Sequence, residues 1–147
     1  MSLKNQIVVK TDASTCDGEG CGVAYQATVH DGFGVKEHHD ASSFISQDLK
    51  TTEAEAVAVL FALKKLNFVF KNLRDDYRKD YLIIIKSDCE NTINRVENEM
   101  AYTNIDDYIQ HYLRFFGNFR ARWIPRESNV EVDQMARNMF HRGIDDG

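Results

Sequence analysis

Four carboxylates in this sequence are placed where they could act together on one substrate. Two stand where predicted buried strands end, and two lie near the start of predicted helices, on or beside the side that faces the sheet: Asp12, Asp88, Glu55 and Asp133. Gathering four acids is costly unless cations neutralise them. Mg²⁺ prefers oxygen ligands, and two such ions about 3.5–4 Å apart can activate water and stabilise the leaving oxygen of a phosphodiester. The pattern therefore predicts metal-assisted phosphodiester hydrolysis.

Each acid also has an ordinary structural explanation when it is taken alone. Asp12, in "IVVKTDAS", could form a turn after the first strand, because aspartate side chains accept backbone hydrogen bonds there. Glu55 could close a capping box with Thr52. Asp133 could follow the general preference of acids for the N-terminus of a helix. The metal-site interpretation differs from these alternatives because it requires all four acids at one place.

The first half of the sequence predicts a three-strand meander followed by a helix. Residues 7–14 open with consecutive branched apolar residues, and 22–29 alternate apolar with small or polar ones, which is the period of a strand. After the turn at "HDGFG", a third extended stretch covers 35–45. From Thr52, the alanine- and leucine-rich "TEAEAVAVLFALKKL" predicts a helix buried against the sheet.

The second half predicts alternating strands and helices. The β-branched run "YLIIIKSD" at 81–88 predicts a central strand, and "FRARWI" at 119–124 predicts another that ends at a proline. Helices are expected over 90–100 and 104–116, and the last helix over 129–140, where apolar residues recur at helical spacing. This order of elements predicts an α/β domain with a mixed sheet and helices packed against it.

Composition narrows the class of protein. The chain has 147 residues, 43% of them hydrophobic, and a single proline, which predicts one domain over 1–147. Its longest apolar stretch, "AVAVLFAL", is far shorter than the roughly 20 residues that cross a bilayer, and no leader pattern opens the sequence. Three cysteines without a CxxC pair argue against a disulfide framework, and a net charge of −5 argues against a general nucleic-acid binder. We expect a cytoplasmic protein that does not contact membranes.

Four segments together resemble the motifs of the ribonuclease H family. "KTDAS" is similar to the family's first-strand motif, "TTEAEAVAVLFAL" to its first-helix motif and "IKSDCENTINRV" to its fourth-strand motif. "WIPRESNVEVDQMAR" resembles the closing segment, in which an asparagine precedes an aspartate by four residues. The resemblance implies the ribonuclease H-like fold: a five-stranded mixed sheet of a three-strand antiparallel meander plus two parallel strands, with helices on both faces.

The resemblance also implies a reaction and the acids that carry it. Members of the family are endoribonucleases that hydrolyse the RNA strand of RNA/DNA hybrids, with two Mg²⁺ ions or with Mn²⁺ in their place, and leave a 5′-phosphate and a 3′-hydroxyl. Carried over motif by motif, Asp12 would bridge both ions, Glu55 and Asp88 would bind one of them, and Asp133 would complete the other.

Three further residues are expected at the substrate. Ser14 and Thr51 fall where the family uses backbone and small polar groups along the nucleic-acid backbone, which fits recognition by shape and 2′-hydroxyl groups. Arg126 could approach a phosphate, although a surface arginine without such a role is the alternative. No obligate protein partner is evident.

Two departures from the family leave a second function open. The loop before the last helix is only "PRESN", without the histidine that many members carry, and so resembles the archaeal-type and reverse-transcriptase-like members. The segment "AYTNIDDYIQHYLRFFGNF" has more aromatic than positively charged residues, so no basic protrusion is expected. The alternative is a catalytically weak or inactive module of the same fold that binds nucleic acid or acts as a scaffold. The presence of all four acids favours the enzyme.

Overall fold

The structure is a computed structural model that describes most of the chain, namely residues 5–15, 19–31, 34–70, 79–97, 103–116 and 118–146. Its strands are β1 (Asn5–Thr15), β2 (Cys21–Asp31), β3 (Gly34–Ile45), β4 (Tyr81–Ser87) and β5 (Asn118–Trp123). Its helices are α1 (Thr51–Phe70), α2 (Glu90–Glu97), α3 (Asn104–Leu113) and α4 (Val130–Asp146), with a 3₁₀ turn over Arg126–Ser128.

The strands form one five-stranded sheet in the order β3-β2-β1-β4-β5. β1 pairs antiparallel with β2, and β2 with β3, whereas β1 pairs parallel with β4, and β4 with β5. The sheet therefore has the meander and the two parallel strands that the sequence predicted, and the predicted fold class is confirmed.

Helices pack on both faces of the sheet. On one face, alternate residues of the central strands pack against α1, α2 and α3 in the main core, which includes Ile7, Val9, Ile83, Ile85, Val59, Leu63, Leu66, Ile93 and Ile109. On the other face, Ala24 of β2 packs against Val132 and Ala136 of α4. This second helix layer contacts β1, β2 and β3.

Two glycines allow α4 to lie close to the sheet. A Cβ atom at Gly22 of β2 would overlap the carbonyl oxygen of Ala136, and one at Gly143 would overlap the ring of Phe44 in β3. The second contact belongs to the last turns of α4, which continue beyond residue 140, where the sequence predicted the helix to end. The predicted helix was too short because this contact with β3 is not visible in the local sequence pattern.

The other predicted boundaries are close to the observed ones. The helix predicted over 104–116 ends at Leu113, and it begins after Thr103, whose side chain forms a capping box with Asp106. Of the helix predicted over 90–100, the last three residues lie outside the described residues. None of the described helices is long and apolar enough to cross a membrane.

A buried arginine joins the three helices of the main core. Arg95 of α2 donates from Nε to Asp106 of α3 at 2.7 Å and from Nη1 to Glu53 of α1 at 3.1 Å. The same Nη1 also donates to the backbone carbonyl of Thr52 at 3.3 Å. These bonds fix the beginning of α1 relative to the other two helices.

Candidate metal centre

The parallel pairing of β1 with β4 places Asp12 and Asp88 side by side. The last paired residues are Lys10 and Lys86, and each acid lies two residues further along the chain. β1 continues to Thr15 through its pairing with β2, so Asp12 lies inside a strand. The prediction that Asp12 ends the first strand is therefore wrong, and so is the alternative in which it forms a turn.

Glu55 reaches the same place from the beginning of α1. Its side chain is 6% exposed, and its Oε2 atom is buried without a hydrogen-bond partner among the described residues. Thr52 lies inside α1 and is exposed, so it is not the N-cap, and the capping-box alternative for Glu55 is wrong. A buried carboxylate oxygen without a donor is costly, and a bound cation would remove that cost.

These three acids from three different elements form one cluster. Asp12, Glu55 and Asp88 each offer a carboxylate oxygen, and the three oxygens lie within 4.8 Å of one another. In the described part of the chain, no lysine or arginine forms an ion pair with any of them. The donor set consists of hard oxygen atoms, which is the kind that binds Mg²⁺ or Mn²⁺.

Burial and mutual repulsion both disfavour ionisation of the cluster. Burial, hydrogen bonding with Asp133 and the charge of Asp88 raise the pKa of Asp12 to about 7. Burial, followed by the charge of Asp12, raises the pKa of Glu55. The two buried carboxyl groups therefore hold protons more tightly than ordinary acids do, and a divalent cation would displace those protons.

Asp133 lies at the edge of this cluster. Its interaction with Asp12 is one of the causes of the raised pKa of Asp12, and it lines the same cleft, of about 260 Å³, as the other three acids. Its Oδ2 atom is also 3.2 Å from Nε of Arg137, one turn further along α4. The structure thus groups three of the four predicted acids tightly and places the fourth beside them, already paired with an arginine.

Two side chains that the sequence reasoning did not single out hold the acids in place. Asn129 is buried and donates from Nδ2 to the carbonyl of Thr11, the residue before Asp12. Its own carbonyl accepts from the backbone amide of Asp133, so it ties α4 to β1. Trp123, at the end of β5, donates from its indole nitrogen to the carbonyl of Asp88 at 3.1 Å. The asparagine four residues before Asp133 was the available signal for the first of these roles.

The three residues expected at the substrate line the same cleft as the acids: Ser14, Thr51 and Arg126. Ser14 is half-buried, and the other two are exposed. Thr51 Oγ1 lies 3.5 Å from Thr15 Oγ1, which connects the beginning of α1 to the end of β1. The cleft therefore contains small polar groups and an arginine in addition to the acids.

Solved structures with the same fold include ribonuclease H domains and a viral protease-reverse transcriptase. The N-terminal ribonuclease H domain of a Mycobacterium tuberculosis protein, solved as a fusion with maltose binding protein, matches with a TM-score of 0.71 at 12% identity over 97% of this chain and 98% of that one. Ribonuclease H1 from the halophilic archaeon Halobacterium salinarum gives 0.68 at 15% identity, over 93% and 98%. A foamy viral protease-reverse transcriptase solved with an RNA/DNA hybrid gives 0.66 at 16% identity, over 95% of this chain and 20% of that one.

The family model described as "Reverse transcriptase-like" matches residues 38–139 of the sequence. The chain belongs to the ribonuclease H family. Three of the four acids lie within the residues matched to this ribonuclease H-type model, while Asp12 precedes them. A comparison with curated proteins finds no match.

Proposed function

We propose that this protein is a metal-dependent endoribonuclease that hydrolyses the RNA strand of RNA/DNA hybrids. The observation that carries the proposal is the cluster of Asp12, Glu55 and Asp88, which converge from β1, from α1 and from the end of β4. One buried oxygen of this cluster has no hydrogen-bond partner in the part of the chain that the structure describes. Keeping such a cluster inside a fold is costly, and it is explained if a cation occupies it during function.

The four acids would together bind two metal ions. Asp12, Glu55 and Asp88 would hold one Mg²⁺ or Mn²⁺ ion, and Asp133 with Asp12 would hold a second. When bound, such ions activate water for attack on the phosphodiester and stabilise the charge on the leaving oxygen. The chain itself supplies fixed carboxylates, since β1 and β4 are locked in register and Asn129 ties the start of α4 to β1.

The hybrid substrate is supported by the relatives and by the lining of the cleft. The foamy viral enzyme with the same fold was solved with an RNA/DNA hybrid. Here Ser14 and Thr51 line the cleft and would contact the nucleic-acid backbone, and Arg126, which lines it too, would contact a phosphate. Small polar donors of this kind suit a backbone read by its shape and its 2′-hydroxyl groups.

The test is cleavage of a hybrid whose RNA strand is end-labelled, with Mg²⁺ or Mn²⁺ present. We expect cuts in the RNA strand only, and we expect Asp12→Asn and Asp88→Asn to lower the rate at least about 100-fold, because loss of a ligand costs more than loss of its supporting bonds. Asp40→Asn, which removes an exposed acid on the edge strand β3, is the matched control and should cleave normally.

Two results would contradict the proposal. Cleavage that survives Asp88→Asn would show that the cluster is not the reacting site. A wild-type protein that binds the hybrid and leaves it intact would instead support the alternative function, an inactive module of the same fold.

A further inference from the structure

On the face of the sheet away from α1, none of the described helices packs on β4 and β5. On the face away from α1, α4 covers β1, β2 and β3, whereas α2 reaches β4 and β5 from the opposite side. The side chains that β4 and β5 present here are half-buried or exposed: Leu82, Ile84, Lys86, Asn118, Arg120 and Arg122. This surface adjoins β1, the strand on which α4 also packs.

Cations are aligned across this surface by the strand register. Lys10 of β1 pairs with Lys86 of β4, and Lys86 pairs with Arg122 of β5. Arg120 lies on the same face, two residues before Arg122. We call these four residues the cationic row.

On its own face of the three strands, the cationic row is followed by one acid, Asp12 of the metal centre, two residues beyond Lys10 in β1. The other side chains that share this face along the paired length of β1, β4 and β5 are uncharged: Gln6, Val8, Leu82, Ile84 and Asn118. Lys10 donates to the carbonyl of Ser128 at 3.0 Å and so holds the 3₁₀ turn. In the described part of the chain, none of the other three cations forms an ion pair. Such a concentration of positive charge is unexpected in a chain with a net charge of −5.

The cationic row adjoins the metal centre. Lys10 and Lys86 precede Asp12 and Asp88 by two residues each, which is about 7 Å along a strand. The cations of neighbouring strands are separated by about 5 Å at the backbone. At the far end of the same face the polar residues are the uncharged Gln6 and Asn118. The charge is thus concentrated at the end of the sheet where the cleft opens.

We propose that the cationic row binds the phosphate backbone of the nucleic acid that is cut at the acids, on a surface separate from the cleft. The identity of this ligand rests on the proposed function. Nucleic acid fits better than an acidic protein because a duplex carries one negative charge per about 1.7 Å of its axis and so presents closely spaced phosphates to closely spaced cations. The surface supplies affinity in a chain that was expected to lack a basic protrusion.

The test measures how hybrid binding depends on salt. Wild-type protein, Arg120→Gln/Arg122→Gln and the matched control Arg114→Gln/Arg142→Gln, which removes two exposed arginines elsewhere, are titrated into a fluorescent RNA/DNA hybrid. EDTA is present so that metal-dependent cleavage does not occur. Loss of two phosphate contacts should make the slope of log affinity against log salt shallower by about 1.8, and the control should keep the wild-type slope. Thermal unfolding of each variant confirms that it is folded.

The outcomes separate this proposal from the proposed function. An unchanged slope in Arg120→Gln/Arg122→Gln overturns the binding surface, even if the protein cleaves hybrids. The binding surface is also overturned if this variant binds the hybrid as the wild type does and loses binding only to vesicles with anionic lipid or to an acidic polypeptide. If the slope becomes shallower while the wild-type protein cleaves nothing with Mg²⁺, the binding surface stands and the nuclease function fails.

Discussion

At the scale of single residues, Glu55 is the most constrained side chain of the cluster. It is buried, one of its oxygens has no hydrogen-bond partner among the residues that the structure describes, and its pKa is raised first by burial and then by Asp12. A group whose pKa is higher in the folded than in the unfolded protein binds protons more tightly in the folded state. Its contribution to stability is therefore complete at low pH and is lost as the pH rises.

This linkage predicts a pH-dependent stability in the absence of metal. Between the ordinary carboxyl pKa of about 4 and the raised pKa of Asp12, about 7, the free energy of unfolding should fall as the pH rises. Glu55→Gln removes one of the groups responsible, so its stability should fall less over this range. Urea unfolding in EDTA at a series of pH values measures both curves.

The matched control for this prediction is Glu97→Gln, which changes an exposed acid on α2. It should follow the wild-type curve. If the free energy of unfolding of Glu55→Gln depends on pH as strongly as that of the wild type, Glu55 is not the buried, proton-binding group that the structure indicates.

Saturating Mg²⁺ should also stabilise the wild type more than Glu55→Gln, because a ligand that binds only the folded state shifts the equilibrium toward it.

At the scale of elements, the position of the acids depends on contacts far from the cleft. Arg95 connects α2 to Asp106 of α3 and to Glu53 near the beginning of α1, the helix that carries Glu55. Arg95 is 7% exposed and Asp106 is 2% exposed. Removing one partner of such a pair leaves a buried charge, which is far more costly than removing both.

Arg95→Met is therefore expected to lower the free energy of unfolding by about 3–5 kcal/mol. The double variant Arg95→Met/Asp106→Asn should recover part of this loss because it removes the buried charge as well. Arg114→Met, at an exposed position just after α3, is the control and should change stability little. Urea denaturation measures all three variants, and a double variant no more stable than Arg95→Met would contradict this explanation of the network.

At the scale of the whole molecule, the sequence specified some features better than others. The meander and the parallel strands could be predicted because branched apolar runs and alternating patterns are local. The closeness of Asp12 and Asp88 could be predicted from the parallel direction of their two strands, although β1 continues beyond Asp12. The close approach of α4 to the sheet could not be predicted, since it depends on Gly22 and Gly143 meeting residues distant in sequence.

The cationic row could not be predicted from the sequence either. Its members are spread from residue 10 to residue 122, and the net charge of −5 conceals them. Only the register of β1, β4 and β5 brings them together. The position of Asp133 is a similar case, because its distance from the other acids depends on how Asn129 holds the beginning of α4.

The most direct measurement of the central claim is the anomalous scattering of Mn²⁺ in a crystal of the wild-type protein. We expect a peak at about 2–2.5 Å from one carboxylate oxygen of each of Asp12, Glu55 and Asp88. The peak should be absent in crystals of Asp12→Asn soaked in the same way. Mn²⁺ bound elsewhere, with none between these three carboxylates, would show that the cluster is not a metal site.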